Sequence, residues 1–551
     1  MSPKHETTTS ADVCDVVIVG AGFSGLYMLH RARQLGLSAR IFEVGSGVGG
    51  TWYWNRYPGA RCDIESFDYQ YSFSPELLAE WRWSERYPRQ DEILAYLEFV
   101  ADKFEMRDHI QLDTRVTAAG YDASSSCWTV ETSRGDQATA RFVVMATGCL
   151  STANVPAMSG LDDFSGPWYH TGAWPHEAVD FSGKRVAVIG TGSSGIQVIP
   201  EIAEVAAELF VFQRTPSFSI PAFNRKLTPD EAAAELSGFA DRRQHARESH
   251  FGIRFPMNDQ SALEVDEQER WQALEKQWQL GGLAMMGTYA DILTQPEVND
   301  TAVAFVHDKI RQKVSEPELA ERLLPRGYPL GGKRICLDTN YFETFNRQNV
   351  TLVDVSDNPI ERITPKGIRA GVTEYDVDAI VFATGFDAMT GAILAVDIKG
   401  RDGVTLRDKW SAGPRTLLGL SSAGFPNLFF ITGPGSPSVF SNMIVSIEQH
   451  VDWITEAIEH VTVSGLDSIE ATEDAETQWV QHVNDVANST LIPKASSWYL
   501  GANVPGKPRI FMPYVGGVGT YRQICDDVAA KGYEGFALTK QRPHSTQGVV
   551  R

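Results

Sequence analysis

Asp15-Val-Val-Ile-Val-Gly-Ala-Gly-Phe-Ser-Gly25 is the stretch that sets the fold. Val16 to Val19 are all β-branched and run without polar interruption, as in a parallel strand covered on both faces. Gly20, Gly22 and Gly25 follow as a Gly-x-Gly-x-x-Gly loop. The first glycine of such a loop permits a tight turn, and the second lets backbone approach a pyrophosphate. The third lets strand and helix pack closely, while the helix N-terminus attracts phosphate charge. Leu26, Leu29 and Ala32 share one face of a helix running to Leu35, and Gly36 suits its left-handed end. Ala39 to Glu43 reads as a second strand. Glu43 stands 23 residues after Gly20, where an acid accepts from ribose hydroxyls.

The same grammar returns about 170 residues later. Arg185 to Ile189 leads into Gly190-Thr-Gly-Ser-Ser-Gly195, then a helix to about Leu209 with Pro200 awkwardly inside it, then a strand to Phe212. In place of the acid stands Arg214, 24 residues after Gly190, followed by Thr215. A cation there suits the extra phosphate of NADP. The expected fold is therefore α/β, with two Rossmann-like dinucleotide-binding domains, FAD at the first and NADPH at the second. Residues 225–330 are charged, Ala- and Gln-rich and helix-like, and read as a helical insertion in the NADP domain. Strands resume from Asn349 to Ala383. Boundaries are expected at the small-residue joints Ala146-Thr-Gly148 and Ala383-Thr-Gly385. They give a discontinuous FAD domain (1–147 and 385–540), a discontinuous NADP domain (148–224 and 331–384) and a flexible tail (541–551).

The 551 residues carry 49 Lys+Arg against 70 Asp+Glu, a net charge of −21, which argues against nucleic acid or an anionic membrane as partner. No apolar run is long enough to span a bilayer, and Met1 to Ala11 is polar, unlike a signal peptide. The six cysteines (Cys14, Cys62, Cys127, Cys149, Cys336, Cys525) are scattered, without zinc spacing or a close pair. This composition suits a reduced cytoplasmic protein, a monomer or weak homo-oligomer, with no metal. The missing cysteine pair tells against a disulfide reductase, and no Gly-x-Ser-x-Gly elbow marks a hydrolase. A monooxygenase, a transhydrogenase-like enzyme and a redox sensor holding both nucleotides stay open at this point.

Phe164-Ser-Gly-Pro-Trp-Tyr-His-Thr-Gly-Ala-Trp-Pro175 narrows the choice. Its Phe164, Gly166, His170, Trp174 and Pro175 resemble the fingerprint of type I Baeyer–Villiger monooxygenases, which lies just before the second glycine loop. Gly49-Gly-Thr-Trp-Tyr-Trp-Asn-Arg-Tyr-Pro-Gly-Ala-Arg-Cys-Asp-Ile-Glu-Ser66 is similar to the phenylacetone and steroid monooxygenase branch. The likeness spans roughly Asp15 to Leu538. It implies insertion of one oxygen atom of dioxygen into a ketone, giving an ester or lactone, with NADPH reducing the flavin. Arg334 would stabilise a flavin peroxide, and Asp63 would orient it. The resemblance further implies that Ser24, Glu43, Thr51, Trp52, Asp63, Tyr69, Val116 and Met443 line FAD. Thr191, Gly192, Ser193, Ser194, Gln197, Arg214, Thr215, Lys333, Arg334 and Trp498 would hold NADPH. His170 and Trp174 would act through structure and domain coupling. Cys149, where the phenylacetone enzyme has glutamine, Leu150, and Phe440, where the branch often has leucine, are expected to shape the substrate pocket and shift the ketone range. Oxidation of sulfides or amines is the alternative activity.

Overall fold

The computed structural model describes residues 12–255 and 257–540; the expected polar leader and flexible tail lie outside them. Asp12–Val19 lies mid-sheet, parallel to Ala39–Phe42 on one side and Gln137–Met145 on the other. Val16, Val17 and Ile18 are fully buried, which is why the strand reads as an unbroken apolar run. The sheet continues through Ile110–Gln111 at one edge and through Cys127–Thr132, Val116–Asp122 and Asp397–Lys399 at the other. Leu428–Phe430 also pairs with Gln137–Met145, against Val143 to Met145.

A second, wholly parallel sheet runs Val350–Asp354, Glu208–Gln213, Arg185–Ile189, Ala379–Phe382, Trp168–His170. An antiparallel trio over Ile360–Thr364, Gly367–Ala370 and Thr373–Asp376 adjoins it. The chain is thus α/β with two Rossmann-like units. The helix after the second glycine loop, Ser193–Val205, runs through Pro200 but ends short of Leu209, because Ala207 turns back to donate to the Lys184 carbonyl.

The two crossings between the sheets lie against each other. Ala153 pairs with Phe386, Asn154 N–H donates to the Gly385 carbonyl (2.9 Å), and Asp387 N–H donates to that of Thr152 (2.9 Å). A motion of one unit against the other therefore bends a zipped double strap.

The insertion is helical: Pro229–Ser237, Phe239–Glu248, Glu267–Leu280, Pro296–Lys313 and Pro317–Leu323. Its neck is closed by Ser219–Pro221 pairing with Cys336–Asp338. Its last three helices pack onto the core of the second unit, through Leu274, Trp278, Phe305 and Ile310. Phe239–Glu248, however, docks on the first unit: Ala246 packs with Val445 and Val518, and Arg243 donates to the Gln70 carbonyl (2.5 Å). The insertion, carried by the second unit, therefore also contacts the first.

Candidate active site

Each glycine loop is shaped by close backbone contact. Gly20 has φ +106°, and a Cβ there would lie 2.7 Å from the Ala146 carbonyl oxygen; one on Gly25 would lie 1.8 Å from the Gly20 oxygen. The second loop repeats this. Gly190 has φ +109°, its Cβ would sit 2.5 Å from the Ala383 oxygen, and that of Gly195 2.2 Å from the Gly190 oxygen. Both Ala-Thr-Gly joints thus serve to seat the first glycine of a loop. Gly192, by contrast, faces open space. Both following helices begin at an uncapped glycine, Gly22 and Gly192, so their first N–H groups are available to a pyrophosphate.

Beside the first loop, Glu43 accepts from the N–H groups of Ala21 (2.7 Å) and Gly45 (2.7 Å). Burial raises its pKa, while these backbone donors pull it back. Thr51 opens the helix Thr51–Trp54, where Trp52 Nε1 donates to Tyr69 Oη (3.2 Å). Ser24 is buried in the first helix, Val116 opens the strand Val116–Asp122, and Met443 begins the helix Met443–Val463. Beside the second loop, Thr191 Oγ1 donates to the Thr215 carbonyl (3.2 Å). Arg214 is exposed, and Lys333 lies with its ammonium 4.5 Å from the Tyr328 ring centre. Burial, then the Arg214 charge, lowers the Lys333 pKa. Two cations held close together in this way suit a dianionic phosphate. The residues present fit two dinucleotides, the second bearing an extra phosphate. Ser193 and Gln197 have other partners as well: Ser193 Oγ lies 3.4 Å from Cys336 Sγ, and Gln197 Oε1 accepts from Tyr57 Oη (2.8 Å). Gln197 thereby ties the second unit to the first.

Between the units, Arg334 is gripped on three sides. Its Nε and Nη2 donate to Asp63 Oδ2 and Oδ1, each at 2.8 Å, and Nη1 donates to the Val439 carbonyl at 2.8 Å. Burial opposes its charge, but Asp63 more than offsets this and holds the pKa above the ordinary guanidinium value. The pair opens onto a cleft enclosing about 470 Å³ of space, solvent included. Arg334, Lys333, Ser441 and Asn442 give it a polar end; Ile64, Phe440 and Tyr499 add apolar and aromatic surface.

Residues 14–230 match the flavin-binding monooxygenase-like family. The acetone monooxygenase (methyl acetate-forming) of Gordonia sp. (strain TY-5) is 43% identical over 533 residues, covering 96% of this chain and 100% of that protein. Phenazine N-monooxygenase PhzNO1 of Lysobacter antibioticus is 42% identical over 529 residues, covering 95% of this chain and 97% of that one. A solved oxidized steroid monooxygenase bound to NADP is 53% identical, with a TM-score of 0.92, covering 96% of this chain and 100% of that one. This chain belongs to the Baeyer–Villiger monooxygenases.

The Baeyer–Villiger monooxygenase uses FAD and NADPH and converts a ketone to an ester or lactone. In its fingerprint, Phe164 packs beside the second sheet, the Trp168 ring meets that of Phe382 within it, and Gly166 leaves no room for a Cβ, which would lie 2.4 Å from the Asp378 oxygen. His170 Nδ1 accepts from Gly172 N–H (2.9 Å), and Nε2 lies 3.2 Å from Thr384 Oγ1, on the strap between the units. Trp174, followed by Pro175, is buried and donates through its backbone N–H to the Trp54 carbonyl of the first unit (3.2 Å). Neither side chain lines the cleft.

Of the three expected pocket residues, only Phe440 lines the cleft; Cys149 and Leu150 lie in the apolar cluster that also holds Val439 and Trp498. The Cys149 thiol is spent on Ser438 Oγ (2.9 Å) and Thr432. Sequence reasoning missed the cleft's contribution from the insertion: Phe251, Ile253, Phe255, Leu283 and Met286. The Phe-x-Ile-x-Phe spacing of 251–255 was the available signal, but it looks like any buried segment.

Proposed function

We propose that Arg334, oriented by Asp63, stabilises the negative charge that develops on the reacting oxygens as a ketone in this cleft is converted to its ester. The carrying observation is the bidentate Arg334–Asp63 pair, further fixed by the Val439 carbonyl, at the polar end of a cleft whose other walls are largely apolar. Bound NADPH and FAD supply the reducing equivalents and the activation of dioxygen. The chain's own work is to hold, charge and dry the site. A guanidinium keeps its proton at every working pH, so it remains a donor through charge build-up. The apolar walls lower the local dielectric and strengthen that interaction.

In this reading Gly20, Gly22, Gly25, Ser24, Glu43, Thr51, Trp52, Tyr69, Val116 and Met443 hold FAD. The second loop with Arg214, Thr215, Lys333 and Trp498 holds NADPH, and the domain bounds are those expected above. A net charge of −21 and six free thiols fit a monomer or weak homo-oligomer in a reducing cytoplasm.

Arg334→Ala tests the proposal: NADPH is expected to reduce the flavin at the wild-type rate while ester falls below about 1%. Normal ester output would remove the role. Likeness to a phenazine N-monooxygenase keeps heteroatom oxidation as a second reading. Mass analysis separates ester from N-oxide or sulfoxide.

A further inference from the structure

Ser438 is a fully buried serine with φ +44°, a left-handed conformation that a residue bearing a Cβ adopts at a cost. Its hydroxyl points inward, 2.9 Å from Cys149 Sγ and 3.6 Å from Met389 Sδ. Cys149 Sγ also reaches the carbonyl (3.1 Å) and hydroxyl (3.3 Å) of Thr432, itself left-handed at φ +57°. One thiol therefore holds the loop at both ends, six residues apart. The residue directly after Ser438 is Val439, whose carbonyl accepts from Arg334 Nη1. That carbonyl therefore sits one residue beyond a left-handed backbone angle whose side chain is fastened to Cys149.

We propose that the buried Cys149–Ser438 contact is a positioning device for Arg334: it aims the Val439 carbonyl and so sets the guanidinium's third hydrogen bond. Cys149 and Ser438 are then positioning residues, touching neither ketone nor cofactor. This rests on the role given to Arg334 above.

The test uses FAD-loaded Ser438→Ala, Cys149→Ala, Cys149→Ser and the Ser438→Ala/Cys149→Ala double variant, with phenylacetone and cyclohexanone as probe ketones. Flavin reduction by NADPH, ester formed per NADPH consumed, and kcat against KM are measured. Each alanine variant is expected to lower kcat for ester roughly three- to tenfold, the worth of one hydrogen bond. Flavin reduction and the KM for NADPH should hold. Cys149→Ser should recover most of the loss, since its hydroxyl reaches the same partners, and the double variant should be no worse than the poorer single one. Unchanged kcat, additive losses, an equal fall in flavin reduction, or a Cys149→Ser as poor as Cys149→Ala would each overturn the inference. If Ser438→Ala does not retain flavin, the two Cys149 variants decide alone. Ester from Arg334→Ala would instead sink the reading beneath; loss of ester there with unaffected Ser438 and Cys149 variants would sink only this inference.

Discussion

Asp63→Asn isolates what orientation of Arg334 is worth, because the side chain keeps its shape and loses its charge and one acceptor. Two parallel bonds of 2.8 Å join the carboxylate to Nε and Nη2. In the asparagine variant one oxygen remains, and an amide NH2 faces a guanidinium N–H, donor against donor. A hydrogen bond to a charged group is worth about 1.5–3 kcal/mol. The side chains are 21% and 25% exposed, so solvent screens part of this and the lower half of the range applies. Losing one such bond and weakening its neighbour costs about 2–3 kcal/mol of orientation, or roughly 30- to 150-fold in the oxygen-transfer rate. Stopped-flow absorbance would follow flavin reduction by NADPH, and chromatography would follow ester per NADPH oxidised. Reduction should stay within about twofold of wild type while ester output collapses and NADPH oxidation becomes uncoupled from it. An Asp63→Asn enzyme making ester at the wild-type rate would refute the orienting role.

Arg214→Gln should raise the KM for NADPH roughly tenfold or more, one charge-assisted bond's worth, and leave that for NADH nearly unchanged; parallel titrations with both nucleotides check this, and equal effects would contradict the phosphate assignment. Gly192→Ala should fold and stay yellow, since a Cβ there meets no protein atom within 4 Å, yet NADPH should reduce it poorly because the methyl group occupies the approach to the loop. Calorimetry against pH should show the His170 contribution. Burial lowers its pKa from 6.5 to about 4, and Gly172 N–H already occupies Nδ1. The unfolded chain therefore binds more protons between those values, so this stability is present above pH 6.5 and is lost as the pH falls toward 4. His170→Gln should remove a loss on the order of 3 kcal/mol accumulated over that pH window, and an unchanged acid profile would count against it.

Much of the fold is legible in local chemistry. The apolar run Val16–Val19, the spacing of Gly20, Gly22 and Gly25, and the acid at 43 specify a strand, a turn and a ribose acceptor within a few residues of one another. Their repeat at 185–214, with a cation replacing the acid, specifies the second site in the same way. These signals survive in the sequence because each depends on backbone geometry and short-range steric limits. The contact of Ala146 and Ala383 with the first glycines shows the same economy, since a small residue is needed where two backbones nearly touch.

What lies between the units had to await the tertiary structure. Asp63 and Arg334 stand 271 positions apart and meet only because folding brings the first unit against the second. No periodicity connects Phe251 or Met286 to the cleft, and nothing local says that the helix Phe239–Glu248 docks on the first unit rather than the second. Position 149 is the sharpest case. Its identity is plain in the sequence, but the direction of its thiol depends on Thr432 and Ser438, nearly 300 residues away. Local geometry is encoded by neighbours in the chain, whereas the electrostatics of the reacting centre come from groups that only burial brings together.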